Sequence, residues 1–398
     1  MTAQPFLAPV APIEESDDLA VMLTGGGARA AYQVGLLKGI AKHFPRLKFQ
    51  IITGVSAGAI NAIYLAAKQG ALAEKANDLA TMWAELDCSS IWHFDWKAFL
   101  PFRSALSSLL PNKRYTQARR HALVDTKPLE NLLCRVLSCP PGVPVPGIIE
   151  NLRSGDLHAL ALMTLDYSTG QSVRWVQGRA FDIFEGPNRR SNATQFRIEH
   201  VMASAALPFV FPAVRIDGEW HGDGGIRLAA PLSPAVHLGA SRIIAMSTGY
   251  QRTPEESLAP VVAGYPPAAQ VLGQLVNAVF LDAIDEDVTR MARMNEIIRK
   301  LAPHERGGLK PIELFVLRPS IDLGRLAGEY EHKLPRDLKL FMRALGAKET
   351  ESPDFVSLLM FEPSYTRRII EIGESDVDAR VDEIRAFLGE PHAASATR

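Results

Sequence analysis

Gly54-Val55-Ser56-Ala57-Gly58 sets a serine between small residues at G-x-S-x-G spacing. Small neighbours let a serine occupy a strained strand-to-helix turn that projects its hydroxyl from a sheet, as a nucleophile requires. A helix beginning there adds a partial positive charge near that oxygen. Upstream, Gly25-Gly26-Gly27-Ala28-Arg29 supplies successive backbone N–H groups in a glycine-rich turn, a concave donor site for an anion. Such donors can bind the oxyanion of a tetrahedral intermediate, worth roughly 3–4 kcal/mol for each good donor in a hydrolase. Asp223-Gly224-Gly225 is the third constellation; taken alone, an Asp before two glycines is a common turn.

A competing reading takes Gly25-x-Gly27-x-x-Ala30 as a relaxed dinucleotide fingerprint. That reading needs an acidic residue at the end of the next strand to hold the ribose. The next strand, Phe49 to Thr53, contains none and ends in the serine turn instead. A Walker loop is excluded because no Gly-Lys-Ser or Gly-Lys-Thr follows.

The flanking segments have the elements needed to hold these turns. Leu19 to Leu23 is a short apolar run stopped by glycines, which predicts a buried strand. Ala28 to Phe44 has apolar residues at helical spacing and ends at Pro45, and Ala59 to Gln69 continues as a second helix after the serine turn. Strand, glycine turn, helix, strand, glycine turn, helix is the pattern of a parallel sheet covered by helices. Further strands are expected at Leu157 to Leu165, Ser172 to Gln177, Arg242 to Ser247 and Ile312 to Leu317. A helix is expected from Pro128 to Leu137, and one long helix from Ala268 to Leu301. His200 is expected to close a strand-like segment.

These three blocks resemble the patatin-like phospholipase family, bacterial members included, in order, spacing and local wording. The family's Ala/Ser- and Pro/Phe-containing block ahead of its aspartate also has a counterpart, Ala203 through Pro212. The resemblance covers about residues 19 to 233; beyond that only a general likeness holds, to a helical continuation. It implies that Ser56 is the nucleophile, that Asp223 is its only catalytic partner, and that Gly25, Gly26, Gly27, Ala28 and Arg29 shape an oxyanion hole. It also implies an α/β fold, a mostly parallel central sheet flanked by helices in a three-layer sandwich, with a helical C-terminal portion. The expected organisation is a loose tail over residues 1–16 and a catalytic core over 17–250 with a cap at about 85–150. A mainly helical continuation over 251–390 and a short tail over 391–398 complete it.

Histidine is the distractor in this chain. A conventional hydrolase triad needs one, and His221 lies two residues before Asp223, with His200 just ahead of the Ala-Ser block. Neither stands in a triad motif, and His237, His304, His332 and His392, which follow the aspartate, stand in no motif either. All are read as hydrogen-bonding or surface residues.

Composition removes other classes. Lys plus Arg is 43 and Asp plus Glu is 44, so the net charge of -1 leaves no electrostatic footprint for nucleic acid. Cys88, Cys134 and Cys139 make no disulfide framework and fit no zinc ribbon, so neither metal nor other cofactor is expected. The N-terminus lacks a basic start and a long apolar stretch, and no window approaches 18 uninterrupted apolar residues; a cytoplasmic protein with peripheral membrane contact is expected. Trp92, Phe94, Trp96, Phe99 and Phe102 could line an acyl pocket, touch a bilayer or pack under a cap. Lys113, Arg114, Arg119 and Arg120 could meet anionic headgroups or form a solvated helix face.

The reading is a serine-dependent hydrolase of lipid carboxylic esters, with a phospholipid or lysophospholipid as substrate. The same dyad could instead act on a thioester, glyceride or polyester, or transfer the acyl group to an alcohol. A non-catalytic lipid-binding scaffold is the alternative from another class. Oligomeric state is not legible.

Overall fold

Leu19–Leu23 and Ala159–Asp166 are buried along their whole lengths, as strands covered on both faces must be. The computed structural model describes residues 18–94, 124–179, 185–208, 210–258, 265, 268–339 and 354–389. In chain order the strands are β1 (Leu19–Leu23), β2 (Ile51–Gly54), β3 (His93–Phe94), β4 (Val124–Asp125), β5 (Ala159–Asp166) and β6 (Ser172–Gly178). They continue with β7 (Arg189–Ala193), β8 (Val214–Ile216), β9 (Glu219–Asp223), β10 (Arg242–Met246) and β11 (Glu313–Leu317). The principal helices are α1 (Ala30–His43), α2 (Ala57–Ala67), α3 (Leu72–Glu85), α4 (Lys127–Val136) and α5 (Ile198–Ser204). After these come α6 (Ser233–His237), α7 (Ala268–Phe280), α8 (Ala283–Lys300), α9 (Asp354–Leu358) and α10 (Pro363–Ala379).

The main sheet runs β11-β10-β1-β2-β5-β6-β7, and every neighbour from β11 to β5 is parallel. Alternate residues of β1 face opposite layers. Leu19, Val21 and Leu23 join the larger core with α1, α2, α3 and α10, whereas Ala20 and Met22 join a smaller one under α6 and α8. The expected α/β architecture is present: a mostly parallel sheet between helical layers. Leu36, Leu37 and Ile40 of α1 are fully buried, and each such side chain contributes roughly 1.5–3 kcal/mol. The C-terminal part is fastened to this frame, since β11 extends the sheet beside β10 and α10 packs along α1.

Strand register positions the chemistry. Leu23 pairs with Gly54, so the glycine loop after β1 and the serine turn after β2 leave the same end of the sheet side by side. Gly54 also pairs with Leu162 of β5. Beyond that point β9 takes over the same edge of β5, with Asp223 opposite Thr164. The end of β9 therefore arrives where β2 stops.

Two expectations need correction. The helix expected from Ala268 to Leu301 is broken at Leu281-Asp282, where both N–H groups converge on the Asn277 carbonyl at 2.8 and 3.0 Å. Leu281 is buried at the break, and α8 begins at Ala283. His200 lies within α5 rather than at the end of a strand, because its Nδ1 accepts the Arg197 N–H at 3.1 Å and caps that helix.

Candidate active site

Ser56 occupies the residue before α2 with φ 55° and ψ −132°, a backbone region that a side chain rarely tolerates. Such strain persists only where the surroundings enforce it. Here the Ser56 N–H donates to Ser204 Oγ at 3.0 Å, and the Val55 N–H is held by the Leu23 carbonyl at 3.2 Å. The Ser56 hydroxyl donates to Asp223 Oδ2 at 2.6 Å. Asp223 Oδ1 accepts the Gly225 N–H at 2.8 Å, and its own N–H is held by the Ala206 carbonyl at 3.1 Å. Asp223 is completely buried, and burial pushes its carboxyl up to about 7, with the Ser56 and Gly225 bonds opposing the rise.

The glycine loop closes over this pair. A Cβ on Gly25 would lie 3.0 Å from Ser56 Cβ, so the absence of a side chain is what admits the serine beneath the loop. Gly26 has φ 148°, and a Cβ there would come within 2.3 Å of Thr248 Oγ1. Thr248 lies just past β10 and fixes the loop from its outer side: its Oγ1 donates to the Gly25 carbonyl at 2.6 Å. Gln33 Nε2 donates to the Thr24 carbonyl at 2.9 Å from the other side. The Ala28 backbone enters the 3-10 turn Gly27–Arg29 and is fully buried. The Arg29 N–H is donated to the Gly26 carbonyl at 3.0 Å. Its guanidinium points away from the serine, with Nη2 2.7 Å from Asp354 Oδ1 and Nε 2.6 Å from Ser357 Oγ. Arg29 is thus a brace between loop and α9.

A narrow apolar pocket opens in front of Ser56. Its walls are Gly26, Gly27, Ala57, Ile60, Ile91, Leu129, Ala205, Leu207, Phe211, Phe280, Leu358, Leu359 and Phe361, all of them uncharged. A roomier cleft lies beside Phe49 at the other end of β2 and contains none of the motif residues. Space alone does not mark the site.

Neither His200 nor His221 is hydrogen-bonded to Ser56 or Asp223. The second ring nitrogen of His200, Nε2, lies 3.2 Å from Thr194 Oγ1, so both nitrogens are engaged, and burial lowers its pKa to about 4. His221 Nδ1 lies 3.1 Å from Thr164 Oγ1, while its buried Nε2 has no hydrogen-bond partner, with Glu219 Oε2 3.9 Å away. Both rings pack edge-on to Trp175. Trp92 is 4% exposed and belongs to the large core, which selects packing among its three readings. The side chain of Phe94, together with Trp96, Phe99, Phe102, Lys113, Arg114, Arg119 and Arg120, lies outside the described residues, as do the two expected tails.

Sequence reasoning missed Ser204, Thr248, Phe280 and the Asp354–Ser357 pair. Ser204 stands in a block used only as a family signature, and the others carry no local pattern. Their relation to the motifs arises from contacts 148 to 328 residues away in the chain. Among the described residues there is no group of three or more potential metal ligands.

A loop of small residues thus lies over a serine turn whose hydroxyl meets a buried aspartate delivered by an antiparallel strand. Residues 21–236 match the patatin-like phospholipase family, which is more than half of the chain. The protein belongs to that family. No curated protein matches it by sequence. Among solved structures it is similar to VipD from Legionella pneumophila, at 13% identity and TM-score 0.38, covering 94% of this chain and 68% of that one. It is also similar to human GIVD cytosolic phospholipase A2 in complex with methyl gamma-linolenyl fluorophosphonate, at 11% identity and TM-score 0.41. That alignment covers 96% of this chain and 60% of the human one.

Proposed function

We propose that the protein hydrolyses the carboxylic ester of a phospholipid or lysophospholipid through a Ser56–Asp223 dyad. The observation that carries the reading is the 2.6 Å bond from the Ser56 hydroxyl to a fully buried carboxylate beneath a glycine loop. Ser56 Oγ attacks the ester carbonyl as its proton passes to Asp223. An ordinary aspartate, near 3.8, is a weak base for this step; one lifted to about 7 by burial is better matched. Amides of the loop from Gly25 to Ala28 receive the oxyanion, with Arg29 and Thr248 keeping the loop in place. The alcohol departs with the proton from Asp223, and water then releases the fatty acid from Ser56.

The apolar wall of Ile60, Leu129, Leu207, Phe211 and Phe280 suits an alkyl chain. Access to aggregated lipid has its own support. Leu258, Tyr265, Val271 and Leu275 are 86, 95, 48 and 60% exposed, and α7 ends in Phe280 at the cavity wall. Exposed Val271 and Leu275 on the helix that ends at the cavity wall favour peripheral contact with a membrane. Among the described residues no helix is long and apolar enough to cross one.

The test is product analysis on mixed phospholipid vesicles with wild type and Ser56→Ala, alongside fluorophosphonate labelling. Free fatty acid from the wild type only, with label on Ser56, is the expected result. Labelling without any lipid product would remove the substrate assignment, and absence of both would remove the enzyme.

A further inference from the structure

The cleft beside Phe49 lies where β2 and β5 begin, at the opposite end of those strands from the serine turn. Its volume is about 350 Å³, within the range of small-molecule sites. Phe49, Ile52, Leu65, Leu72 and Leu157 line it as buried apolar side chains. Arg46, Lys48 and Lys75 face the same space, and Asp156 is the only carboxylate among its described lining residues. The lining thus joins an apolar wall to an excess of positive charge.

Lys48 Nζ lies 2.5 Å from Asp156 Oδ1, so that carboxylate already has a cation of its own. Arg46 is exposed, with neither a hydrogen bond nor an ion pair among the described residues. Lys75 is half-buried, and its Nζ donates to the Leu65 carbonyl at 3.1 Å, near the end of α2. A carbonyl is a neutral acceptor, and it takes one of the three donors that an ammonium carries. Burial pushes the Lys75 ammonium below its ordinary value; Asp156 opposes the fall and Lys48 adds to it. A further anion in the cleft would supply what Asp156, shared with Lys48, does not.

We infer that this cleft binds a small amphipathic carboxylate, with one negative head on an apolar body. A free fatty acid of modest length and a soluble aryl acid share that chemistry. The buried side chains receive the body, Lys75 meets the head, and Arg46 stands at the mouth. One negative charge matches the one half-buried cation, whereas a dianionic head would set a second charge against the apolar wall. The cleft shares no lining residue with the pocket before Ser56, so the inference does not rest on the dyad.

Calorimetric titration of the full chain tests this, with octanoate and 3-phenylpropanoate as probes and octan-1-ol and octyl phosphate as comparisons. Wild type and Ser56→Ala should bind octanoate saturably and alike, and octan-1-ol about tenfold more weakly. Arg46→Gln, at an exposed position without partners, should weaken octanoate binding about threefold with an unchanged circular dichroism spectrum. Lys75→Met, which keeps the apolar stem and removes the charge, should weaken it about tenfold or more. Lys75→Arg should restore most of that loss. Tighter binding of octanoate than of 3-phenylpropanoate assigns an alkyl acid, and the reverse order assigns an aryl acid. Absence of saturable binding, equal binding of octan-1-ol, or tighter binding of octyl phosphate overturns the site. So does octanoate binding unchanged in both Arg46→Gln and Lys75→Met. The pocket before Ser56 has no charged lining residue, so octanoate held there would ignore both substitutions. Because the readout is binding in Ser56→Ala as well as wild type, this outcome is independent of whether the dyad turns over lipid.

Discussion

Asp166 and Asp223 lie two rungs apart on one β5–β9 ladder, neither has exposed surface, and the fold treats them in opposite ways. Burial pushes both carboxyls up. At Asp166 the hydroxyls and amides of Ser168 and Thr169 outweigh it and hold the group down at about 2. At Asp223 only the Ser56 hydroxyl and the Gly225 amide oppose burial, and the carboxyl ends at about 7. Donor count separates a carboxyl held ionised from one raised toward neutrality. The Asp166 loop has Arg190 as well, whereas the groups acting on Asp223 include no cation. Under the proposed dyad, withholding partners is what would prepare Asp223 as a general base.

The most direct way to break the comparison is to remove the acceptor. Asp223→Asn should lower turnover by about 10⁴-fold, close to the loss in Ser56→Ala, because the amide cannot take the serine proton. Asp166→Asn should leave turnover near wild type while costing roughly 1–3 kcal/mol of stability through donors left unpaired. His221→Gln and His200→Gln belong with the second group. A folded histidine variant as inactive as Ser56→Ala, next to a partly active Asp223→Asn, would restore a histidine base.

The next effect comes from the loop. Gly26→Val forces a branched side chain into a positive-φ position against Thr248, so the amides lose their aim while the core remains. A folded protein with kcat reduced about 10²–10³-fold is expected, checked by circular dichroism and by turnover of a soluble ester. Near-normal kcat would detach the loop from the oxyanion.

How much of this was legible in sequence divides along the chain. Leu19 to Leu23, the glycine loop, the serine turn and Asp223 are local patterns, and parallel-sheet logic already puts the ends of β1 and β2 together. What holds them is not local. Ser204, Thr248 and Asp354 reach the site from α5, from the end of β10 and from α9, through hydrogen bonds that no periodicity announces. The break at Leu281 was hidden for a related reason: helical spacing continues through it, and only the double acceptance at the Asn277 carbonyl stops the helix. The carboxylate contrast was invisible as well, since burial and donor count belong to the fold.

Ser204 sharpens that lesson. Ser204→Ala removes the acceptor for the Ser56 N–H and releases the strained turn toward ordinary backbone angles. Turnover should fall about 10- to 100-fold through misplacement of the hydroxyl, with a stability loss of roughly 1–3 kcal/mol. Ser204→Thr, which keeps the oxygen, should recover most of the turnover. Equal loss in both variants would mean that shape, not the hydrogen bond, is what Ser204 supplies.

The smallest effect, and the one that reads the comparison directly, is pH. Asp223 must be ionised to accept the serine proton, so kcat/KM should rise with an apparent pKa of about 7 and level off above it. Between pH 6 and 8 that is a change of about tenfold. Stability should move the other way. The folded-state pKa of Asp223 is raised above its ordinary 3.8, so folding favours the protonated form. That contribution is complete below pH 3.8 and is lost as pH rises through about 7, because the ionised carboxylate is the form that burial penalises. Asp166 has the opposite sign: its contribution is present above 3.8 and is lost as pH falls through about 2. Between pH 4 and 7, then, Asp223 contributes a falling slope and Asp166 is silent, while His200, held at about 4, contributes a rising one that ends near its ordinary 6.5. Urea denaturation across that window should therefore show a stability slope against pH that is more positive in Asp223→Asn than in wild type, while Asp166→Asn keeps the wild-type slope. An activity profile already level by pH 5, or an unchanged slope in Asp223→Asn, would mean that burial does not make this carboxylate a base.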